Sequence, residues 1–374
     1  MSQNKAKPLH ITFINSPARF VISICLLPVI LASCSSSPAT ARPSTIPTPT
    51  PAVDEASSAE AWQTSTPEEQ GMDSQRLTQM LAVIEGQQLN LHSLLIVRNG
   101  YLVSETYFGS YGQDTRHELY SCTKSFTSTL IGIAVDKGYI DRTDRRVVDF
   151  FPEHRFANLD EQKETMTLED LLTMRSGLDW QEGDPAYGAM YRSRDWVQFV
   201  LDMPMTGPPG SGFNYCSGCS HILSAILEQT TDMNPRDFAE QYLFQPLGIS
   251  NVQWDTDAAG ISIGGWGLQM TPRDMAKLGY LYLQGGQWDG QQIISAEWVE
   301  NATRNHTETD DNLGYGYQWW TYPSWEGYTA LGRYGQTIFV IPWADLVIVT
   351  TAQIEDHDEI FQLIEEYILP AAQQ

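Results

Sequence analysis

Hydrophobic positions fall into three regimes along the chain. Near the start, Phe20–Ala32 (FVISICLLPVILA) is an apolar run of 13 residues. That suits a signal-peptide core and is short of the ~20 residues a spanning helix needs. Residues 35–60 (SSSPATARPSTIPTPTPAVDEASSAE) show no apolar period and are rich in Pro, Ser, Thr and Ala. They predict an extended tether, which at ~3.1 Å per residue reaches several tens of Å. From Trp62 onward periodic patterns set in, and residues 62–374 are expected to form the folded unit.

Within that unit, residues 73–86 predict a helix with Leu77, Met80, Leu81 and Ile84 on one face and Asp73 as its cap. Residues 94–108 (LLIVRNGYLVSETYF) are two β-prone runs joined by Asn99-Gly100, a strong hairpin signal. Residues 337–352 read as two more strands around a turn at Pro342, and 358–369 as a closing amphipathic helix. The middle, 121–302, reads as helices and loops. There, 167–177 opens on a capping threonine and is expected to stop at Gly177, and 271–286 carries Pro in its first turn and glycines at its end. Strands from both ends with helices between them predict an α+β fold: one antiparallel sheet built from both chain ends, flanked by helices, with a mainly helical inserted subdomain. The βαβ alternation of a doubly wound fold is absent.

Charge and the N-terminal segment bear on location. Lys5, Lys7 and Arg19 precede the apolar run with no acidic residue. The run ends in Leu31-Ala32-Ser33-Cys34, which resembles the bacterial lipobox. Residues 1–33 are therefore expected to be a lipoprotein signal peptide, and 34–61 a linker led by a lipidated Cys34. Acyl chains there would hold the protein at a membrane face, each buried CH₂ contributing ~0.8 kcal/mol. Removing the leader takes the formal net charge from −24 to −27. So acidic a surface argues against nucleic acid and against electrostatic binding to anionic lipid. The acyl chains must then supply the membrane attachment.

The candidate chemistry begins with a scarcity. Residues 34–374 hold only four lysines, Lys124, Lys137, Lys163 and Lys277, and one of them completes Ser121-Cys122-Thr123-Lys124. At about one lysine per 85 residues, chance supplies only a few tenths of an S-x-x-K match. The pattern reads as helical from Ser121 to Lys137, with Gly138 as the stop. Positions 121, 124, 125 and 128 then share a face made of Ser, Lys, Ser and Ser. In a desolvated site the lysine loses charge solvation and can serve as a base for the serine one turn away. The helix start also offers a backbone N–H and a positive dipole to a developing oxyanion. A second element, GFNYCSGCSHILSAILEQ (212–229), sets Tyr215-Cys216-Ser217 on a loop leading into an apolar helix. A third, LGRYGQTIFVIP (331–342), is a glycine-containing entry to a strand.

Together with TPEEQGMDSQRL, LLTMRSGLDW and GGWGLQMTPRDMAKLGYLYLQGGQWDGQQI, these segments resemble the serine β-lactamase and penicillin-binding superfamily over about residues 64–368. The branch shared by class C β-lactamases, family VIII esterases, D-aminopeptidase-like enzymes and nylon-oligomer (6-aminohexanoate-dimer) hydrolases looks nearest. The resemblance implies a serine hydrolase without a cofactor or metal, acting on a small ester or amide. Ser121 would be the acylated nucleophile, Lys124 its activating partner and Tyr215 the proton-shuttling tyrosine. The backbone N–H groups of Ser121 and Gln336 would form the oxyanion hole.

Two departures from the family pattern bear on substrate. Ser217 stands where an asparagine is usual, and Arg333-Tyr334-Gly335 stands where Lys-Thr-Gly is usual. Ser217, Arg333, Tyr334 and Gly335 are expected to line the substrate, Arg333 favouring a carboxylate. Trp180, with Tyr187 and Tyr191, is expected to form an aromatic lid. β-Lactamase or D,D-peptidase action and a catalytically silent module on the same fold are the alternatives.

Two other chemistries have weaker support. Gly260-Ile261-Ser262-Ile263-Gly264 matches G-x-S-x-G formally but lacks the preceding strand and following helix. Cys216-x-x-Cys219 with His221 suggests zinc, without a second ligand pair. In an exported protein, at most one disulfide is expected among Cys122, Cys216 and Cys219.

Overall fold

The computed structural model describes residues 62–183, 185–309 and 313–373. The leader, Cys34 and the tether lie outside the described residues. No helix among the described residues is long and apolar enough to cross a membrane.

The Asn99-Gly100 hairpin forms as expected. Strands β1 (Leu91–Arg98) and β2 (Tyr101–Tyr107) pair antiparallel, with Arg98 opposite Tyr101. Asn99 (φ 52°) and Gly100 (φ 81°) both adopt the left-handed region that a tight hairpin turn requires. The later strands of this sheet are β3 (Thr307–Glu308), β4 (Gly314–Tyr315), β5 (Trp320–Tyr322), β6 (Gly327–Gly332), β7 (Gln336–Ile341) and β8 (Leu346–Ala352). Their spatial order is β2-β1-β8-β7-β6-β5-β4-β3. Strand β1 therefore pairs with β8, joining the two ends of the folded unit, from Leu91 opposite Ala352 to Arg98 opposite Leu346. The expectation of one antiparallel sheet built from both chain ends holds. The strands from 307 to 332 extend it by four beyond the four strands legible in the sequence.

Helix α1 (Ser74–Gln87) is capped by Asp73, whose carboxylate accepts from the N–H groups of Gln75 and Arg76. It buries Leu77, Met80 and Ile84, while Leu81 stays half-buried. The inserted region supplies α2 (Thr123–Asp136), α3 (Ser217–Thr231) and α4 (Pro272–Leu283). Helix α4 lies across β8, β7 and β1 so closely that a Cβ on Gly279 would fall 2.5 Å from Val347 Cγ1. A small second sheet, His117–Glu118, Leu268–Met270 and Gln253–Trp254, braces the start of α2. The segment at 167–177 is shorter than its pattern suggests. Thr167 and Asp170 close a capping box, but the helix spans only Leu168–Leu172. The chain turns at Met174 (φ 59°), ahead of Gly177 (φ 74°). The closing helix Asp358–Leu363 continues as a wider π turn over Ile364–Ile368.

Candidate active site

Helix α2 is buried from Thr123 to Ala134, so its polar side chains need partners inside the protein. Ser125 Oγ donates to the Gln318 carbonyl at 2.8 Å, and Thr127 Oγ1 donates to the Gly264 carbonyl at 2.8 Å. Thr129 Oγ1 shares a hydrogen bond with Tyr282 Oη at 3.0 Å. Lys124 Nζ donates to Ser121 Oγ and to the Gly265 carbonyl, both at 2.9 Å. Ser121 itself lies just ahead of the helix proper, in a 3₁₀ turn over Tyr120–Cys122 entered through Tyr120 at φ 48°. Of the expected polar face, Ser121, Lys124 and Ser125 are hydrogen-bonded, while the buried Ser128 Oγ has no hydrogen-bond partner among the described residues. The helix begins two residues later than the pattern suggests, and Ser121 keeps partial exposure while Lys124 has none to speak of.

Helix α3 packs against α2 and delivers the second element. Tyr215 occupies the last turn before it, with the Lys124 ammonium 4.9 Å from its ring centroid. The Tyr215 phenol also lies close enough to the Ser121 hydroxyl to be influenced by it, so Ser121, Lys124 and Tyr215 cluster together. Gly264 and Gly265 make this approach possible. A Cβ on Gly264 would lie 2.1 Å from the Ser220 carbonyl, and one on Gly265 3.0 Å from that of Ser217.

Burial pushes the Lys124 amine down to about 8, while the Glu182 charge pulls it the other way. Withdrawal from water, then the Glu182 charge, holds the Tyr215 phenol well above its ordinary range; the Ser121 hydroxyl opposes them. Burial likewise raises the Cys122 thiol, which stays free. A partly neutral lysine beside a hydroxyl and a fully protonated phenol is a set able to pass one proton along a line.

The third element closes the other side. Cys122 Sγ donates to the Gln336 carbonyl at 3.2 Å, and a Cβ on Gly332 would collide with the Leu119 carbonyl at 2.2 Å. The start of α2 is therefore seated directly on the β6–β7 tip, with Gln336 beside the Ser121 turn. Within the tip, Tyr334 takes φ 63°, uncommon for an aromatic residue, and meets Tyr120 edge-on at 5.4 Å. The Arg333 guanidinium lies over the Tyr334 ring at 4.6 Å. Gly335 (φ 87°) leaves room for Ile360. The Gln336 side chain donates to the Arg333 and Ala352 carbonyls and accepts from the Ala352 N–H, which fixes the tip against β8.

The structure thus brings Ser121, Lys124, Tyr215 and Gln336 together, with Arg333, Tyr334 and Gly335 beside them. Two expected substrate contacts are not found. Ser217 is buried, and its hydroxyl donates to Glu182 Oε1 at 2.5 Å, so it has no free face for a ligand. Trp180 is buried as well, its indole N–H donating to Glu182 Oε2 at 2.6 Å and its ring packed on Gly218. The aromatic surface beside Glu182 and Gly265 is made instead by Tyr187, Tyr191 and Trp266. Tyr187 meets Trp266 edge-on at 5.3 Å and stacks with Tyr191 at 6.3 Å.

Glu182 and Trp266 went unremarked in the sequence. Trp266 stands within the GGWGLQMTPRD segment with no role assigned to it, and the only trace of Glu182 is a carboxylate placed between aromatic residues. Cys216 and Cys219 form one disulfide across the first turn of α3, in line with the expected single bridge, and so are not thiolate ligands. His221 Nε2 pairs instead with Asp257 at 3.0 Å. Ser262 of the G-x-S-x-G segment is buried and donates to Asn234 Oδ1, as a structural hydroxyl does.

Comparison with known proteins bears on the family and the fold. The family model described as Beta-lactamase matches residues 68–373. The 6-aminohexanoate-dimer hydrolase of Paenarthrobacter ureafaciens is 27% identical over 293 residues, 71% of this chain and 73% of that protein. Among solved structures, a family VIII carboxylesterase superposes with a TM-score of 0.67 at 16% identity, covering 82% of this chain and 98% of its own. A penicillin-binding protein homologue from Caulobacter crescentus gives 0.63 at 18%, covering 80% and 98%. At these identities the two structures speak to the fold alone. The match of the family model over most of the folded unit places the chain: it belongs to the beta-lactamase family of serine hydrolases.

Proposed function

We propose that this protein is an exported hydrolase, lipid-anchored through Cys34, that cleaves small ester or amide bonds by way of an acyl-enzyme at Ser121. The observation that carries the mechanism is the position of Lys124 Nζ, 2.9 Å from Ser121 Oγ and 4.9 Å from the Tyr215 ring centroid. In this reading neutral Lys124 takes the hydroxyl proton as Oγ attacks the substrate carbonyl. The backbone N–H groups of Ser121 and Gln336 receive the oxyanion. As the tetrahedral intermediate collapses, Tyr215 gives its proton to the leaving alcohol or amine and recovers one from Lys124. Water then attacks the acyl carbonyl, and the same groups working in reverse free the acid and restore Ser121.

The substrate class follows from the walls. Ser217 is committed to Glu182, so the site lacks the amide that would hold an acylamino group. One uncharged hydrogen bond is worth about 0.5–1.5 kcal/mol, up to roughly tenfold in discrimination. Tyr334 narrows the strand side where the family carries a small residue, and Arg333 favours a substrate with a carboxylate. Similarity to the protein named as a 6-aminohexanoate-dimer hydrolase supports a small amide as a bond cut. Export and anchoring are supported by the apolar run Phe20–Ala32 and the Leu31-Ala32-Ser33-Cys34 sequence.

Steady-state comparison of short nitrophenyl esters, short linear amides and a chromogenic cephalosporin tests the reading. Esters and carboxylate-bearing amides should lead. A specificity constant for the cephalosporin above that for the esters would show that a β-lactamase is the better description. No turnover of any of them would favour the silent module. Incorporation of labelled palmitate in a bacterial host, lost in Cys34→Ala, tests the anchor.

A further inference from the structure

One charged group beside the cleft has no part in the proton path above. Glu182 lies on the loop between Trp180 and the short helix Ala186–Arg192, where a carboxylate would ordinarily face water. Instead four donors from three places converge on it. Its Oε2 accepts from Trp180 Nε1 at 2.6 Å and from the Ser217 N–H at 3.1 Å. Its Oε1 accepts from Ser217 Oγ at 2.5 Å and from the Tyr187 hydroxyl. Hydrogen bonds to a carboxylate are roughly twice as strong as neutral ones. Four of them hold the aromatic wall to the first residue of α3, two residues beyond Tyr215.

We propose that Glu182 is a positioning residue for hydrolysis: its carboxylate fixes the turn that carries Tyr215 and sets the charge balance across Lys124 and Tyr215. The inference rests on the Ser121 acyl-enzyme reading and adds a residue to it. The groups facing Lys124 are few. Its own segment offers Ser121 and the uncharged Cys122 thiol; the turn before α3 offers Tyr215; the loop before Leu268–Met270 offers the Gly265 carbonyl. Tyr315 on β4 meets the Tyr215 ring edge-on at 6.2 Å and remains protonated. The carboxylate acting on both Lys124 and Tyr215 is that of Glu182. A negative charge there favours the ammonium form of Lys124 and disfavours the Tyr215 phenolate. Removing it lets both groups lose their protons at lower pH, so the base form of Lys124 persists further into acid.

The test is the pH profile of kcat/KM on an uncharged ester for the wild type, Glu182→Gln and Glu182→Asp. Glu182→Gln should move the acidic limb down by about one pH unit, the effect of a nearby charge, with kcat reduced. Glu182→Asp keeps the charge. It should lose rate while its acidic limb stays nearer the wild-type position than to that of Glu182→Gln. If the glutamine amide clashes with the Ser217 hydroxyl and the variant does not fold, Glu182→Gln with Ser217→Ala removes that clash and should show the same displaced limb. A Glu182→Gln profile that only drops in height, with its limb at the wild-type pH, overturns the inference. So does an equal displacement in Glu182→Asp. Fluorophosphonate labelling separates this from failure of the parent reading. A wild-type enzyme not labelled at Ser121 refutes the acyl-enzyme and takes Glu182's role with it. Labelling at Ser121 with an unmoved limb refutes the role of Glu182 alone.

Discussion

The floor of the cleft and its wall are built on opposite terms. On the floor, Lys124 and Ser217 are buried, and their polar atoms are bound to named partners: Ser121, the Gly265 carbonyl and Glu182. Along the wall, Arg333, Tyr334, Tyr187 and Trp266 are half-buried, Tyr191 is 53% exposed, and they meet mainly ring against ring. The difference teaches where each property resides. Proton chemistry needs a low-dielectric, fully satisfied network, because an unpaired polar group there is costly and a paired one is strongly perturbed. Selectivity can be carried by side chains that still touch water and can be exchanged without disturbing the core.

Substitutions on the floor should therefore abolish the reaction. Ser121→Ala should remove ester hydrolysis while leaving the far-UV spectrum intact. Lys124→Ala and Tyr215→Phe should each cost several orders of magnitude, and the double variant little more than either, because the groups act as one unit. Near-normal turnover by Ser121→Ala would dissolve the distinction between floor and wall. Next in size is pH. The active base is neutral Lys124, whose folded pKa burial lowers to about 8. In the wild type kcat/KM for an uncharged ester should be at its plateau above that value and fall about tenfold per unit below it. A profile flat down to pH 6 would mean that the lysine is not the base.

Packing beneath the floor should matter less to rate than to stability. Gly264→Ala forces a Cβ to within 2.1 Å of the Ser220 carbonyl. It should cost about 1–3 kcal/mol, read as a fall of several degrees in Tm. The smallest effects belong to the wall. Arg333→Ala should raise KM about tenfold for a carboxylate-bearing substrate, the worth of one charged hydrogen bond, and leave an uncharged ester within about twofold. Equal losses on both substrates would move Arg333 from the wall to the floor.

Legibility in the sequence follows the same division. Elements stabilised locally could be read directly: the Asn99-Gly100 turn, the Asp73 and Thr167 caps, and the Pro272 helix start. So could the S-x-x-K pair, because lysine is rare here and a helical turn brings the two residues together. What could not be read depends on contacts distant in sequence. Ser217 looked like a ligand contact because its position matches the family pattern, and Trp180 because Tyr187 and Tyr191 lie near it in sequence, but only the fold shows Glu182 accepting from both. The strands over 307–322 span two or three residues each, too short for an alternating pattern to show. The helix from Leu168 ends before Gly177 because the chain already turns left-handed at Met174, a position where propensity gives no warning.

Mapping a covalent adduct tests the central claim most directly. After treatment with a fluorophosphonate at pH 8, peptide mass analysis of the wild-type protein should find a single modified serine at Ser121. Labelling should disappear in Ser121→Ala and slow by orders of magnitude in Lys124→Ala. Modification at Ser262 or another hydroxyl, or labelling of Lys124→Ala as fast as the wild type, would contradict the account of a lysine-activated Ser121.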